Sequence, residues 1–258
     1  MNLVDTHCHL DFEHFDADRE AVIERAREAR VERILVPGID LVTGQRAVAL
    51  AEKHSEVRAA VGLHPNSTQG FGDWKLAKLR ELAQHPQVDA IGEIGIDLYW
   101  KTVPLAEQQT AFRAQLELAA ELEKPVIIHD REAHAEVMQG LRDQPPPTGT
   151  VLHSFSGDIV MAEAAVALGF YLGVDGPLTY KKNDALRAIF AAVPLDHILI
   201  ETDAPYLTPQ ARRGTRNEPA YVRYVAEKLA EIRGMTLEAV AQATTANAAR
   251  LFRWELVD

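Results

Sequence analysis

The sequence has one cysteine, Cys8, and no apolar run as long as the ~20 residues that a membrane helix needs. A single cysteine excludes an internal disulfide and a cysteine-rich zinc motif, and it favours a reducing compartment. The first residues lack the basic and apolar segments of a signal peptide. We therefore predict a cytoplasmic protein without a membrane partner. A monomer is compatible with the sequence, which does not define the oligomeric state.

Positive charge is also scarce. The chain has 27 lysine and arginine residues against 38 aspartate and glutamate residues, which gives a formal net charge of -11 over 258 residues. Proteins that coat duplex nucleic acid are usually basic, so this balance disfavours long-range electrostatic capture of a duplex. It does not exclude a local site at which bound metal ions supply the positive charge.

The chain shows no linker, low-complexity tract or repeat, but short β-rich runs alternate with longer helical patterns. Such alternation predicts a parallel sheet covered by helices, and eight units in this length favour a (β/α)8 TIM barrel, a single domain over residues 1–258. An open doubly wound sheet is the alternative, which the lack of a Gly-rich loop after the first strand weakens. The predicted strands are Leu3–His7, Arg33–Pro37, Arg58–Leu63, Ala90–Ile94, Val126–His129, Thr150–His153, Tyr171–Val174 and Ile198–Thr202.

The helical patterns between and after these strands are clear in eight places. They are Arg19–Ala29, Thr43–His54, Pro104–Leu122, Ala133–Leu141, Met161–Leu168, Ala185–Ala192, Pro219–Arg233 and Leu237–Phe252.

Polar residues that suit a metal recur where the predicted strands end. In a strand, side chains two residues apart share a face, so His7 and His9 would point together and Cys8 would be a buried thiol on the other side. Polar groups at the ends of apolar strands are costly to bury unless they are paired or ligated. The set is His7, His9, His64, Glu93, His129, His153 and Asp203, and we expect the other five histidines to face solvent.

This donor set predicts two divalent metal ions. Imidazole and carboxylate without thiolate suit zinc or manganese and tolerate magnesium less readily. We expect His7, His9 and Asp203 to hold the first ion and His129 and His153 the second. Glu93 would bridge the two ions and Asp203 would accept the proton of the attacking water, so Asp203 and Glu93 are the predicted catalytic residues.

Two further acids and a set of loop residues complete the predicted site. Glu201 and Asp5 share the faces of Asp203 and His7, and we expect them to hydrogen-bond the ligating histidines or to form buried ion pairs. Aromatic and basic residues follow several strands and favour a short single-stranded substrate. They are Tyr99, Trp100, Lys101, Tyr180, Lys181, Lys182, Tyr206, Arg212, Arg213 and Arg216.

The sequence contains eight motifs that run from residue 3 to about 253: DTHCHLD, VGLHP, IGEIGID, PVIIHDRE, HSFSG, ETDAPYLTP, RGTRNEP and ANAARLF. In this order they resemble the TatD family of metal-dependent deoxyribonucleases, and ETDAPYLTP and RNEP are the most specific. The resemblance implies a TIM-barrel phosphodiesterase that acts on DNA through the metal ligands named above. Glu93 stands where many relatives in the wider superfamily carry a carbamylated lysine.

The resemblance also implies contacts to the substrate from His64, Arg131, Arg216 and Asn217. For His64 the alternative is a role in capping its loop. Asn217 precedes Glu218-Pro219 and a helical pattern, so it is also a candidate helix N-cap.

The predicted function is an exonuclease that hydrolyses DNA from single-stranded or frayed ends. A barrel hydrolase of a small amide, ester or lactone would use the same metal site, and a nucleic-acid binder that has lost catalysis is a third possibility. The third is disfavoured because every ligand position is filled.

Overall fold

The computed structural model describes residues 2–146 and 148–255. Its eight strands follow one another in the sheet in the order β1 to β8, and every two successive strands are separated by a helix. This order is that of a (β/α)8 fold and differs from a doubly wound sheet, in which the strand order reverses. The strands are β1 Leu3–Asp5, β2 Val31–Pro37, β3 Val57–Val61, β4 Val88–Asp97, β5 Val126–Arg131, β6 Thr150–Leu152, β7 Tyr171–Val174 and β8 Ile198–Ile200.

Seven of the helices lie between successive strands and two follow the last strand. In the described part of the chain they are α1 Arg19–Glu28, α2 Leu41–Lys53, α3 Asp73–Ala83, α4 Leu105–Glu121, α5 His134–Asp143, α6 Ile159–Ala167, α7 Asp184–Ala192, α8 Val222–Arg233 and α9 Leu237–Phe252. None of the helices among these residues is both long enough and apolar enough to cross a bilayer.

The chain forms two compact units. The terminal unit consists of Met1–Val36 and Ser154–Asp258, and the central unit is Pro37–His153. In the terminal unit, β1 pairs with β2 and β7 with β8, all parallel, and the Thr6 N–H donates to the Ile200 carbonyl. In the central unit, β3, β4, β5 and β6 pair in that order, also parallel. That the whole chain behaves as one domain stays a prediction.

Local sequence explains the start of the helix after β2. The Asp40 side chain accepts from the Thr43 N–H, and the Thr43 hydroxyl accepts from the Asp40 N–H, which is a capping box at the start of α2. Apolar residues fill the strands: Val126, Ile127 and Ile128 of β5 are fully buried. Such continuous apolar runs are typical of parallel strands covered on both faces.

Several predicted strand bounds are wrong, and the differences change where the candidate ligands lie relative to the strands. β1 ends at Asp5 and β8 at Ile200, so His7, His9 and Asp203 lie in the segments after these strands rather than within or directly at their ends. β4 is longer than predicted and includes Glu93 in its interior. The structure also contains α3, which the pattern did not indicate, because only Leu79 and Ala83 of its residues are fully buried and its apolar face is weak.

Candidate metal centres

In the terminal unit the structure brings His7, His9 and Asp203 together, and their role as metal ligands stays a prediction. The His7 Nε2 lies 3.3 Å from the His9 Nε2, and the Asp203 Oδ1 lies 3.8 Å and 3.5 Å from these two nitrogens. His7 is fully buried and His9 nearly so. We call these three residues the terminal cluster.

Backbone hydrogen bonds hold the two segments of the terminal cluster side by side. The Asp203 N–H donates to the His7 carbonyl at 2.9 Å, and the His9 N–H donates to the Ala204 carbonyl at 2.8 Å. Cys8 forms an isolated parallel bridge with Ala204. The pairing therefore continues past the ends of β1 and β8, which is why the two histidines can share a side although β1 ends before them.

Cys8 is buried, as predicted. Burial raises the pKa of its thiol well above the ordinary value, so the group stays a neutral apolar side chain. Of the five histidines expected to face solvent, His54 contradicts the prediction because it is buried at the end of α2.

Asp5 lies fully buried beneath the terminal cluster. Its carboxylate accepts from the Thr202 N–H at 2.9 Å, from the Thr202 hydroxyl at 2.6 Å and from the His7 N–H at 3.3 Å. Burial raises the pKa of Asp5 to about 8, although these hydrogen bonds oppose the rise. Asp5 thus connects the two segments that carry His7 and Asp203 through their backbone.

Glu201 is also buried. It accepts from the Ser154 N–H at 2.5 Å and from the Thr6 hydroxyl at 3.4 Å. A Cβ at Gly173 would lie 2.6 Å from both of its carboxylate oxygens, so the space that Glu201 occupies depends on this glycine. Its hydrogen bond to a ligating histidine stays a prediction.

Asn217 is fully buried, and its side-chain amide is used within the chain. The amide nitrogen donates to the Thr202 carbonyl at 2.8 Å and to the Tyr206 carbonyl at 2.6 Å, and its oxygen accepts from the Glu218 N–H at 3.0 Å. Asn217 therefore holds both ends of the segment that carries Asp203. The N-cap prediction is wrong, because the turn Pro219–Tyr221 has Glu218 at its N-cap. The contact between Asn217 and a phosphate stays a prediction.

In the central unit three imidazoles surround the Glu93 carboxylate. Its Oε1 lies 2.7 Å from the His129 Nδ1, 3.3 Å from the His153 Nε2 and 3.7 Å from the His64 Nε2. The candidate ligand atoms of His64, Glu93 and His129 all lie within 4.8 Å of one another. We call these four residues the central cluster, and His64 belongs to it although it was not a predicted ligand.

His64 also has the alternative role that the sequence left open. Its Nδ1 accepts from the Asn66 N–H at 3.1 Å, which caps the turn Pro65–Ser67. Its contact with substrate stays a prediction.

Asp97 is the acidic residue of this site that sequence reasoning missed. Its Oδ2 lies 3.1 Å from the His129 Nε2, so both nitrogens of this ring face a carboxylate. Burial by itself raises the pKa of the Asp97 carboxyl. The hydrogen bonds from His129 and from the Trp100 N–H outweigh burial and lower this pKa to about 2. Burial lowers the pKa of His129, and its bonds to Asp97 and Glu93 outweigh this and raise it. The signal was available, since Glu93, Gly95 and Asp97 alternate along β4 and so share a face.

Arg131 and Arg216, the two arginines expected to contact substrate, differ in whether a carboxylate already pairs with the guanidinium. The Arg216 guanidinium donates to both carboxylate oxygens of Asp18 at 2.8 Å and stacks over the Phe15 ring at 4.5 Å. Arg131 forms no ion pair with any described residue and lies over the Tyr99 ring, 4.2 Å from its centroid. The charge of Arg131 is therefore available to an anion, whereas that of Arg216 is already matched by a carboxylate.

The donors of both clusters fit a divalent ion. Each cluster offers imidazole nitrogens and one carboxylate within a few ångströms, and no thiolate. Such nitrogen and oxygen sets suit zinc or manganese. In the central cluster, a carboxylate on the far nitrogen of a ligating histidine is the arrangement that usually fixes the ring of a metal ligand, and Asp97 is placed to provide it.

The comparisons with known proteins agree with this chemistry. The model of the family described as TatD related DNase matches residues 4–253. An uncharacterized metal-dependent hydrolase of Bacillus subtilis (strain 168), YabD, is 43% identical over 252 residues, 97% of this chain and 99% of the relative. The 3'-5' ssDNA/RNA exonuclease TatD of Cronobacter sakazakii is 38% identical over 258 residues, 97% of each chain.

A solved structure confirms the predicted fold. The TatD homologue YjjV from Escherichia coli K12 superposes with a TM-score of 0.93 at 36% identity, over 98% of both chains. The chain belongs to the TatD-related DNase family and is a metal-dependent hydrolase.

Proposed function

We propose that this protein is a metal-dependent exonuclease that hydrolyses single-stranded DNA from an end. The observation that carries the proposal is the Glu93 carboxylate with three imidazole nitrogens between 2.7 and 3.7 Å from it. Such a set is typical of a catalytic metal site. In a structural core, burying a carboxylate and several imidazoles together would cost free energy without stabilising the packing.

Each cluster holds one divalent ion in this proposal. His7, His9 and Asp203 bind one ion, and Glu93, His129 and His153 bind the other, with zinc, manganese or magnesium as candidates. When bound, such ions polarise the phosphoryl oxygens and lower the pKa of water. That Glu93 serves both ions stays a prediction from the sequence.

The side chains themselves have distinct roles. The Asp203 side chain is 15% exposed, so one of its oxygens can accept the proton of the attacking water. His64 lies beside Glu93 and is 14% exposed, which places an imidazole where it can donate to a phosphate oxygen. Arg131 is the last residue of β5, and its guanidinium forms no ion pair among the described residues. In this proposal the guanidinium binds a phosphate of the substrate.

A single-stranded end is the favoured substrate for two reasons. A chain with a net charge of -11 exerts little long-range attraction on a duplex. Ligand atoms that are this buried are reached more easily by a frayed terminus than by the middle of a stiff duplex. The name of the Cronobacter relative, a ssDNA/RNA exonuclease, supports the same substrate class.

A substrate panel tests the proposal. Initial rates are compared on end-labelled single-stranded, 3′-overhang, 5′-overhang and blunt duplex DNA of one sequence, and on ester, amide and lactone substrates. We expect the single-stranded DNA to be cut fastest, with products that shorten from one end. Hydrolysis of a lactone or amide without cleavage of any DNA would instead identify a small-molecule hydrolase. Equal rates on all four DNA substrates would contradict the preference for ends.

A further inference from the structure

Three side chains at the ends of β4 and β5 form an exposed cationic and aromatic surface, which we call the aromatic platform: Tyr99, Trp100 and Arg131. The Tyr99 and Trp100 rings are perpendicular, with centroids 5.0 Å apart. The Arg131 guanidinium carbon lies 4.2 Å from the Tyr99 centroid and 5.7 Å from the Trp100 centroid. Trp100 is 58% exposed and Tyr99 47% exposed, so ring surface remains open to solvent.

The aromatic platform is fixed to the central cluster through Asp97. One oxygen of this buried carboxylate accepts from the backbone N–H groups of both Tyr99 and Trp100, each at 2.9 Å. The other oxygen bonds the His129 ring at 3.1 Å. A single side chain therefore sets the position of the two aromatic residues relative to a candidate metal ligand.

The backbone of β5 reinforces this connection. Asp97 and Arg131 are partners in the β4–β5 register, and the Leu98 N–H donates to the Arg131 carbonyl at 3.0 Å. Arg131 lies two residues after His129, so the two side chains leave β5 on the same face. Arg131 forms no ion pair with a carboxylate among the described residues; Asp130 instead bonds His134 at 2.8 Å, and Asp97 bonds the His129 ring at 3.1 Å.

The exposed tryptophan, the perpendicular tyrosine and a guanidinium without an ion pair among the described residues match the chemistry of an unstacked nucleotide. The base has a flat π-face that stacks on an aromatic ring, and its phosphate is an anion that a guanidinium binds.

We propose that the aromatic platform is a nucleobase-stacking subsite, in which one base of a single-stranded substrate stacks on Trp100 while Arg131 binds a neighbouring phosphate. This inference rests on the proposed function and adds to it the residues that select an unpaired base. Asp97 is the positioning residue, since it fixes the distance between the stacked base and His129.

The chain provides a matched control in Trp74. This tryptophan is 63% exposed and also has a cation beside it, with the Lys75 Nζ 5.9 Å from its ring centroid. Trp74 belongs to α3 and has no hydrogen-bonded connection to the histidines of the central cluster among the described contacts. Replacing Trp74 removes a similarly exposed indole without changing a residue of the aromatic platform.

The test compares Trp100→Ala, Trp100→Phe and Trp74→Ala with the wild type. Fluorescence anisotropy measures the dissociation constant of a short fluorescein-labelled single-stranded oligonucleotide with hydrolysis-resistant phosphorothioate linkages on the metal-loaded protein, so this readout does not require hydrolysis. A second series uses the same oligonucleotide with one base at a time replaced by an abasic site. KM and kcat are then measured on the metal-loaded proteins.

We expect Trp100→Ala to weaken binding and raise KM by about 5- to 150-fold, the range for loss of one base stack, with a smaller change in kcat. Trp100→Phe should recover most of the loss, and Trp74→Ala should behave as the wild type. At one position of the oligonucleotide, replacing the base by an abasic site should weaken binding to the wild type. The same replacement should not weaken binding to Trp100→Ala any further.

Equal binding by Trp100→Ala and Trp74→Ala, wild-type binding that is insensitive to every abasic site, or no binding by the wild type would overturn the stacking subsite. Failure of the proposed function has a different signature, which is that the metal-loaded wild type cuts no oligonucleotide at all.

Discussion

Glu93 has three imidazole neighbours, since ring nitrogens of His129, His153 and His64 all lie within 3.7 Å of its Oε1. Removal of its carboxylate would take an anionic ligand from the ion and leave three imidazoles to repel one another when protonated. We therefore expect Glu93→Ala to be the most damaging single substitution in the central unit.

For Glu93→Ala, activity should fall by more than about 100-fold, beyond the 10- to 100-fold that loss of a supporting partner usually costs. Bound metal, measured by elemental analysis of the purified protein, should fall with it. His134→Ala is the control, because His134 lies at the start of α5, just after the strand of His129, but bonds Asp130 and is 41% exposed. A Glu93→Ala protein that retained its metal and most of its activity would refute the role assigned to Glu93.

Asp18 gives a prediction about pH. Its hydrogen bonds with Arg216, and those with Arg25, lower the pKa of Asp18 below its ordinary value. A lowered pKa in the folded protein means that the pair stabilises the fold above the unfolded pKa of about 3.9, and that this contribution is lost as the pH falls through the folded pKa. Asp18 is 37% exposed, so solvent screening limits the effect to less than about 1 kcal/mol.

Urea unfolding of Asp18→Asn at pH about 7 and at pH about 3 measures this contribution. The variant should be less stable than the wild type at the higher pH, and the difference should shrink at the lower pH. Asp196→Asn, at an exposed position, should match the wild type at both. A difference for Asp18→Asn that grew on acidification would contradict the assigned sign.

At the level of single residues, the sequence indicated most of the candidate donors and the buried acids Asp5 and Glu201 beside them, but it missed Asp97. His7, His9, His129 and Asp203 could be found because metal-ligating types recurred after successive strands. Asp97 was overlooked because the predicted strand stopped at Ile94, which left Asp97 in a loop. The hydrogen bonds from the Asn217 amide to the Thr202 and Tyr206 carbonyls could not be predicted, because they depend on which carbonyls the fold brings near this side chain.

Among the elements, β4 shows most directly how a strand is adapted to carry ligands. Its pairing with β5 shifts register between Ile91 and Ile94, the stretch that contains Glu93. Gly95, on the same face as Glu93 and Asp97, has φ +147°, and a Cβ there would lie 2.0 Å from the His129 carbonyl oxygen. The two strands therefore approach at a distance that only glycine allows.

Gly95→Ala should lower the free energy of unfolding by at least about 2 kcal/mol, because the backbone conformation alone costs ~1–3 kcal/mol for a residue with a Cβ and the overlap adds to it. Gly44→Ala is the matched control in α2. There the new Cβ would make ordinary contacts with Val61 and Leu82, at 3.4 and 3.6 Å.

Urea unfolding at neutral pH compares the two variants. Gly44→Ala should be neutral or up to about 1 kcal/mol more stable, since alanine favours a helix over glycine. Similar losses in both variants would show that Gly95 has no special role in the approach of β4 and β5.

The helices and strands could largely be predicted from sequence, and their bounds could not. Continuous apolar runs such as Val126–Ile128 indicate buried parallel strands whatever follows them. β1 and β8 end two residues earlier than predicted because the chain continues as irregular segments paired through Cys8 and Ala204, and residue type does not reveal such pairing. The 3₁₀ turn Pro219–Tyr221 before α8 was likewise included in one longer helix.

For the whole molecule, the alternation of strands and helices was enough to predict the fold, because eight repeats of that pattern have few other arrangements. The division into the terminal and central units follows from long-range contacts and left no trace in composition. For the molecule as a whole, we propose that the protein hydrolyses DNA and that it does so only with divalent metal.

Metal removal and restoration tests this claim most directly. The protein is stripped with a chelator, its metal content is verified, and cleavage of an end-labelled single-stranded oligonucleotide is followed while zinc, manganese or magnesium is added in steps. We predict no cleavage by the stripped protein, recovery with at least one of these ions, and a metal content that rises in parallel with the rate. Undiminished cleavage by a verified metal-free protein would contradict the assignment of the histidine and carboxylate clusters as catalytic metal centres.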